Sequence, residues 1–321
     1  MNKLLVIFLL LPFVLNAEEE ALPRTRVVAT YIKQADNTHK REVKIRKSGS
    51  VCTPQKADAT LRQRLVNTAA SQWEAFGFQI YDVSSRLPSF FPGGNTFHIV
   101  PPRKNPTFIG VQERMLRLGT KEDERVTDDY IGSYWATTPQ GEFFTNRQNQ
   151  IWAVASNAGW VDAWSAAFIS WVMCEAGLTQ EQFKRSSLHW EYVDHAITQS
   201  GQQNAIYKAV DYRDAGVPQP GDLICADRKK EETYTHLKDR ELGTQRPMHC
   251  DLVVQRDWAH NRVFAIGGNV GDSVTLTAAR ITKTGGKFHL ERTPYRPWFV
   301  VLKLQTSGTA KLENAPLKIW Q

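Results

Sequence analysis

Three polar residues, far apart in the chain, have the types that nucleophilic catalysis needs. Ser165 stands in "GWVDAWSAAFISWVMCEAG" (residues 159–177), His249 in "HCDLVV" and Asn269 in "GGN". A hydroxyl, an imidazole and an amide in that order fit a nucleophile, a general base and an orienting group. A serine hydroxyl needs a base during attack, and that base usually leans on a carboxylate. Asn269 would orient His249 without supplying charge. Asp251 shares the strand face of His249, while Cys250 faces the other way. A neighbour two along a strand points parallel, so Asp251 is not expected to reach the ring. Ser165 is equally open to two blander readings, a remnant binding-site residue or a small residue in a crowded helix.

These residues need elements to hold them. The quoted segment reads as a helix capped by Asp162 and stopped by Gly177, with Ser165 in its first turn. Free N–H groups and the positive dipole end there would favour an oxyanion. Ala166 and Ala167 leave room for substrate or for close packing. Gly267 and Gly268 remove bulk just before Asn269, which suits close backbone approach. His189 and Tyr192 lie three apart on one face of a helix that Ser187 caps. They are candidate binding residues with Trp164 and Asp251, and core packing is the alternative. Asp222 in "PQPGDLI" reads as structural.

Upstream, Leu61, Leu65, Val66, Ala69, Trp73 and Phe76 recur at helical spacing after Asp58, and Gly77 ends the run. Residues 86–120 read as loop with a short strand at "TFHIV". A second helix is expected over 121–136, and Thr179 to Gln182 has capping-box form and opens a short helix. After Pro218 the texture changes to short alternating stretches, "PQPGDLICA", "HCDLVVQR", "RVFAIGGNV", "DSVTLTAARI" and "PWFVVLKL". These predict antiparallel strands, with "DWAHN" as a turn. The charged segment Asp227 to Arg246 is expected to be a long surface loop that could overhang a site. Helices followed by a meander make the class α+β.

The four cysteines, Cys52, Cys174, Cys225 and Cys250, permit two disulfides in three connectivities. Cys225 and Cys250 fall in neighbouring strands, so they form a cross-strand disulfide or two buried thiols. No metal-ligand spacing occurs, neither CxxC nor HExxH, so no metal and no cofactor is implied. The chain opens MNKLLVIFLLLPFVLNA, the layout of a cleaved secretory signal over 1–17. Residues 18–57 form an extension with nine Lys/Arg against two acids from Pro23 to Ala57. "RVVATYIK" and "REVKIRK" there could pair as a hairpin, or the whole could be a solvated basic arm. The main domain spans 58–305, and 306–321 is a polar tail. Net charge is +7, which favours an anionic neighbourhood such as cell wall or membrane surface. No nucleic-acid motif is present, and no stretch beyond the signal is long and apolar enough for a stable membrane span.

"WSAAFISWV", "PQPGDLI", "HCDLVV" and "GGN" together resemble the papain-like cell-wall hydrolase superfamily, including the CHAP amidases. Those enzymes carry a cysteine in the helix motif, a histidine opening the second strand and a polar residue in the third. More closely, over roughly 60–305, the chain resembles the bacterial domain of unknown function 2272. That resemblance adds "QWEAFG" near residue 75 and "SYW" near 134. It implies a papain-like fold with the nucleophile-position helix packed on an antiparallel sheet, and an exported protein acting on peptidoglycan. The departure is Ser165 where the hydrolases have cysteine, so no thiolate forms there. Three functions follow as expectations. One is a hydrolase of peptidoglycan peptide amides using Ser165, His249 and Asn269. The others are an inactive cell-wall-binding module of the same fold and a serine esterase.

Overall fold

The computed structural model describes residues 25–33, 39–47, 52–83, 98–99, 114–229, 231–294 and 296–312. The signal segment 1–17 and tail residues 313–321 lie outside them. In chain order the elements are β1 (Thr25–Lys33), β2 (His39–Lys47), α1 (Leu61–Ala75), β3 (Gln79–Asp82), β4 (His98–Ile99) and β5 (Arg114–Arg117). Then come α2 (Asp128–Ala136), α3 (Gly141–Val154), α4 (Ser165–Glu175) and α5 (His189–Gln199). The strands β6 (Tyr207–Asp211), β7 (Leu223–Asp227), β8 (Met248–Asp257), β9 (Arg262–Gly267), β10 (Thr275–Thr284), β11 (Lys287–Leu290) and β12 (Trp298–Leu304) complete the chain.

The fold is α+β. Its main sheet runs β4-β5-β3-β10-β9-β8-β7-β12-β6, with β11 beside β10. The meander is antiparallel as its alternation predicts, but the sheet as a whole is mixed. β3 joins β10 in parallel, in the register Thr275↔Gln79 to Ala278↔Asp82. The return from α1 sets that direction. Gly77 (φ +74°) and Phe78 (φ 63°) both take left-handed conformations, and the Trp73 indole donates to the Gln79 carbonyl at 2.6 Å. The chain therefore turns back under its own helix.

Alternation divides the strands between two apolar layers. Phe264 and Ile266 of β9 join Leu252, Leu276, the helix residues Leu65, Trp73, Tyr134 and Phe168, and Trp164 just before α4. Val263 and Ala265 join Ile224, Val253 and Val301 in a second, strand-built layer. Helices α1, α4 and α5 thus pack on one face of the sheet, while α2 lies against α4 and α3 against α2 and β2. Cys225 and Cys250 stand opposite each other in β7 and β8 and are disulfide-bonded, as are Cys52 and Cys174. Two such bonds fit an oxidising, extracytoplasmic setting. Among the described residues no helix is long and apolar enough to cross a membrane.

Several local expectations are corrected. α4 begins at Ser165 itself, with Trp164 as N-cap and no side-chain cap. Asp162 instead accepts from Arg147 at 2.8 Å. Thr179 and Gln182 do bond reciprocally at 2.9 and 3.3 Å, but they close a turn and not a helix. Leu188, and not Ser187, is the N-cap of α5. The helix expected over 121–136 starts only at Asp128, after a short 3-10 turn. The basic extension is a paired hairpin, β1 against β2, and it is anchored. Arg41 of β2 is buried, and its guanidinium grips Asp128 of α2 at 2.7 and 2.6 Å. The same group lies 4.1 Å from the Trp152 ring. The segment 227–246 is likewise tied down. Arg240 forks onto Asp194 of α5 with two 2.7 Å bonds, and Arg246 donates to Asp227 at 3.0 Å.

Candidate functional site

Two helix starts meet under the sheet. Ser165 is the first residue of α4 and His189 the first of α5. The Ser165 hydroxyl lies 2.6 Å from His189 Nε2. Helical i,i+3 spacing brings Tyr192 beneath the same imidazole, and its hydroxyl hydrogen-bonds Nδ1. With Nε2 accepting from the serine, the ring proton sits on Nδ1 and is donated to the Tyr192 oxygen. Burial, then the neighbouring His249 and Arg228, push His189 well below the ordinary histidine range. The imidazole is therefore neutral, the form that can take a proton from an attacking hydroxyl. The Tyr192 phenol is pushed well above its usual range by burial and by Asp251, so it stays protonated.

His249 lies edge-to-face on His189, with ring centroids 5.3 Å apart. Its Nε2 is 2.7 Å from Asp251 Oδ1. The carboxylate reaches back along β8 because the opposite position in β9 is Gly267. A Cβ there would sit 2.9 Å from Asp251 Cγ and 3.1 Å from His249 Nε2. Burial lowers His249 despite Asp251, so it too is uncharged near neutrality. Asp251 is fully buried, and its Oδ2 has no hydrogen-bond partner among the described residues. The Asp251 carboxyl group thus stands behind the His249 ring.

The hydrogen bonding differs from the expected serine–histidine–asparagine order. Ser165 meets His189, and His249 meets Asp251. Asn269 follows β9 in a left-handed conformation (φ 55°) and is half-buried. Its backbone takes that form where Gly268 packs so closely on Phe168 and Trp164 that a Cβ would collide with both. Ser165, His189, Tyr192, His249 and Asp251 form one buried polar group. Trp164 borders it, and its indole donates to Glu122 at 2.6 Å. Glu122 is pushed up to about 7, chiefly by burial, with Asp272 and Asp123 adding and the indole bond opposing. Glu122 and Arg228 carried no sequence signal. The Ser165–His189 bond had one, in the His–x–x–Tyr spacing at a helix start. Among the described residues no cluster of three or more His, Cys, Asp or Glu could hold a metal ion.

Comparison with known proteins gives one result that bears on identity. The family model described as an uncharacterized protein conserved in bacteria (DUF2272) matches residues 122–304. That range holds "SYW" and every residue of the buried polar group, and it leaves "QWEAFG" outside. No curated protein and no solved structure matches the chain.

Proposed function

The chain belongs to the DUF2272 family, and from that premise we propose that it is an exported serine hydrolase of carboxylic acyl bonds. Ser165 is its nucleophile and His189 its general base. The observation that carries this reading is the 2.6 Å Ser165–His189 contact at the start of α4, made to an imidazole that burial keeps neutral. Ser165 Oγ attacks the substrate carbonyl as its proton passes to His189 Nε2. His189 returns that proton to the leaving nitrogen or oxygen as the acyl bond breaks. Water then repeats the sequence and releases the acid. Tyr192 holds the orientation of the His189 ring through its bond to Nδ1. Backbone N–H groups at the uncapped start of α4 face the developing oxyanion. The packing of α4 on β8 and β9 supports a papain-like arrangement, in which this serine takes the thiol's place.

The first substrate to test is the amide of a peptidoglycan stem peptide. A carboxylic ester is the second, favoured by one observation: Nδ1 of His189 faces a phenol and not a carboxylate. An ester needs less push from its base than an amide does.

A fluorophosphonate probe tests the nucleophile. It should label the wild type at Ser165 and fail on Ser165→Ala. Labelling of His189→Gln should slow by about 10²–10⁴-fold, and that of His249→Gln far less. Turnover is then read on purified sacculi and on a nitrophenyl ester. Because the neutral imidazole is the active form and its pKa lies below 6.5, the acylation rate should be flat above pH 6.5 and fall only in acid. Absence of labelling and turnover, with sacculus binding retained in Ser165→Ala, would replace the hydrolase by a binding module.

A further inference from the structure

A second feature lies at the far end of β8. His249 sits near the start of that strand and Trp258 just past its end. Nine residues at about 3.3 Å each put them roughly 30 Å apart. Beside Trp258 is a cavity of about 350 Å³, bounded by Arg256, Gln255, Gln219, Arg62 and Lys311. That volume is within the range of about 300–1,000 Å³ usual for small-molecule sites.

The wall has a consistent chemistry. The Trp258 indole is 55% exposed, unusual for a side chain of its size, and offers a flat apolar face at the mouth. The Arg256 guanidinium lies 5.6 Å from that ring. It is fixed by the carbonyls of Pro218 and Val217, each at 2.7 Å. Those acceptors hold its direction without cancelling its charge. Arg62 is neutralised by the buried Asp222 at 3.2 Å. Lys311 is exposed at the rim. Among the described residues no acidic side chain lines the cavity, so Arg256 and Lys311 leave it positive. Gln255 lines the same space, and its Oε1 is buried with no hydrogen-bond partner among the described residues.

We propose that this cavity is a binding site for an acidic saccharide. The indole takes the ring's apolar face, and Arg256 with Lys311 pairs the carboxylate. The site is independent of the chemistry assigned to Ser165.

The test is calorimetric titration of the full mature protein with two matched pairs, D-glucuronate against D-glucose and N-acetylmuramate against N-acetylglucosamine. Each pair differs in carboxylate content, and the two acids place that group differently. At least one acid should bind about tenfold or more tighter than its neutral partner, the gain expected of a charge-assisted bond. Trp258→Ala should abolish that binding, and Lys311→Gln should narrow the preference. Both positions are exposed, so the variants keep the fold. Ser165→Ala should bind like wild type. Binding of neither acid, equal binding within both pairs, or binding unchanged in Trp258→Ala would overturn the proposal.

Discussion

The Gly267→Ala substitution isolates one contact. Gly267 is in β9, and its backbone is ordinary strand, so alanine brings no conformational strain of its own. The new methyl would land on the Asp251 carboxylate, 2.9 Å from Cγ and 3.1 Å from His249 Nε2. Both groups are buried. The carboxylate must move, and its 2.7 Å bond to His249 breaks. Losing a hydrogen bond to a charged group costs about 1.5–3 kcal/mol, and forcing a methyl into a packed site costs about 1–3 kcal/mol. The smaller unfolded-state entropy of alanine returns about 0.4–1 kcal/mol. The expected net destabilisation is about 2–5 kcal/mol, read from urea unfolding with both disulfides intact. The same substitution in an Asp251→Ala background should cost less than about 1 kcal/mol, because the space is then vacant. A Gly267→Ala protein within about 0.5 kcal/mol of wild type would refute the argument. So would an unchanged cost in the Asp251→Ala background.

Two further perturbations probe what supports the buried group. Glu122 ionises at about 7 in the folded chain against 4.5 ordinarily. The folded state therefore holds the proton where the unfolded state releases it, and stability should fall as pH rises from about 4.5 to about 7. Glu122→Gln keeps an acceptor for the Trp164 indole and removes that penalty. It should stabilise by about 1 kcal/mol at pH 8, after allowance for solvent screening, and by almost nothing at pH 4; equal effects at both would contradict the assignment. Arg41→Ala should cost about 3–5 kcal/mol by removing the charged partner that grips the buried Asp128. It should also expose the hairpin to limited proteolysis. A thermal midpoint unchanged from wild type would mean the hairpin is not held by this pair.

Much of the architecture could be read from spacing. The α1 run, the Gly177 stop and the alternating strands of the meander follow directly from the period of apolar residues. α3 escaped because its buried positions are Gly141, Thr145, Gln148 and Trp152, a helical stripe with one large apolar member. Gln148 earns its burial by bonding the Gly159 carbonyl and the Val161 N–H at 3.0 Å each. A hydropathy pattern cannot register that. The parallel β3–β10 pair escaped because nothing local specifies a partner almost two hundred residues away. At the site, the residue types were legible and the pairing was not. Alternation along β8 predicted a carboxylate that points past the ring. The vacancy left by Gly267 on the next strand is what lets Asp251 bend back to it. The pairing of Ser165 with His189 depends on two helices starting side by side, a tertiary fact.

Helix α4 is fastened at both ends. Cys174 is bonded to Cys52, the Ala176 carbonyl accepts from Arg64 at 3.0 Å, and Trp164 is moored to Glu122. The nine helical steps from Ser165 to Cys174 make a rod about 14 Å long. Were the distal fastening loose, a tilt of only about 4° would swing the hydroxyl by about 1 Å, enough to lose two orders of magnitude in rate. Under the proposed chemistry, the Cys52–Cys174 linkage is one of the anchors that set the direction of Ser165 from the opposite tip of its helix.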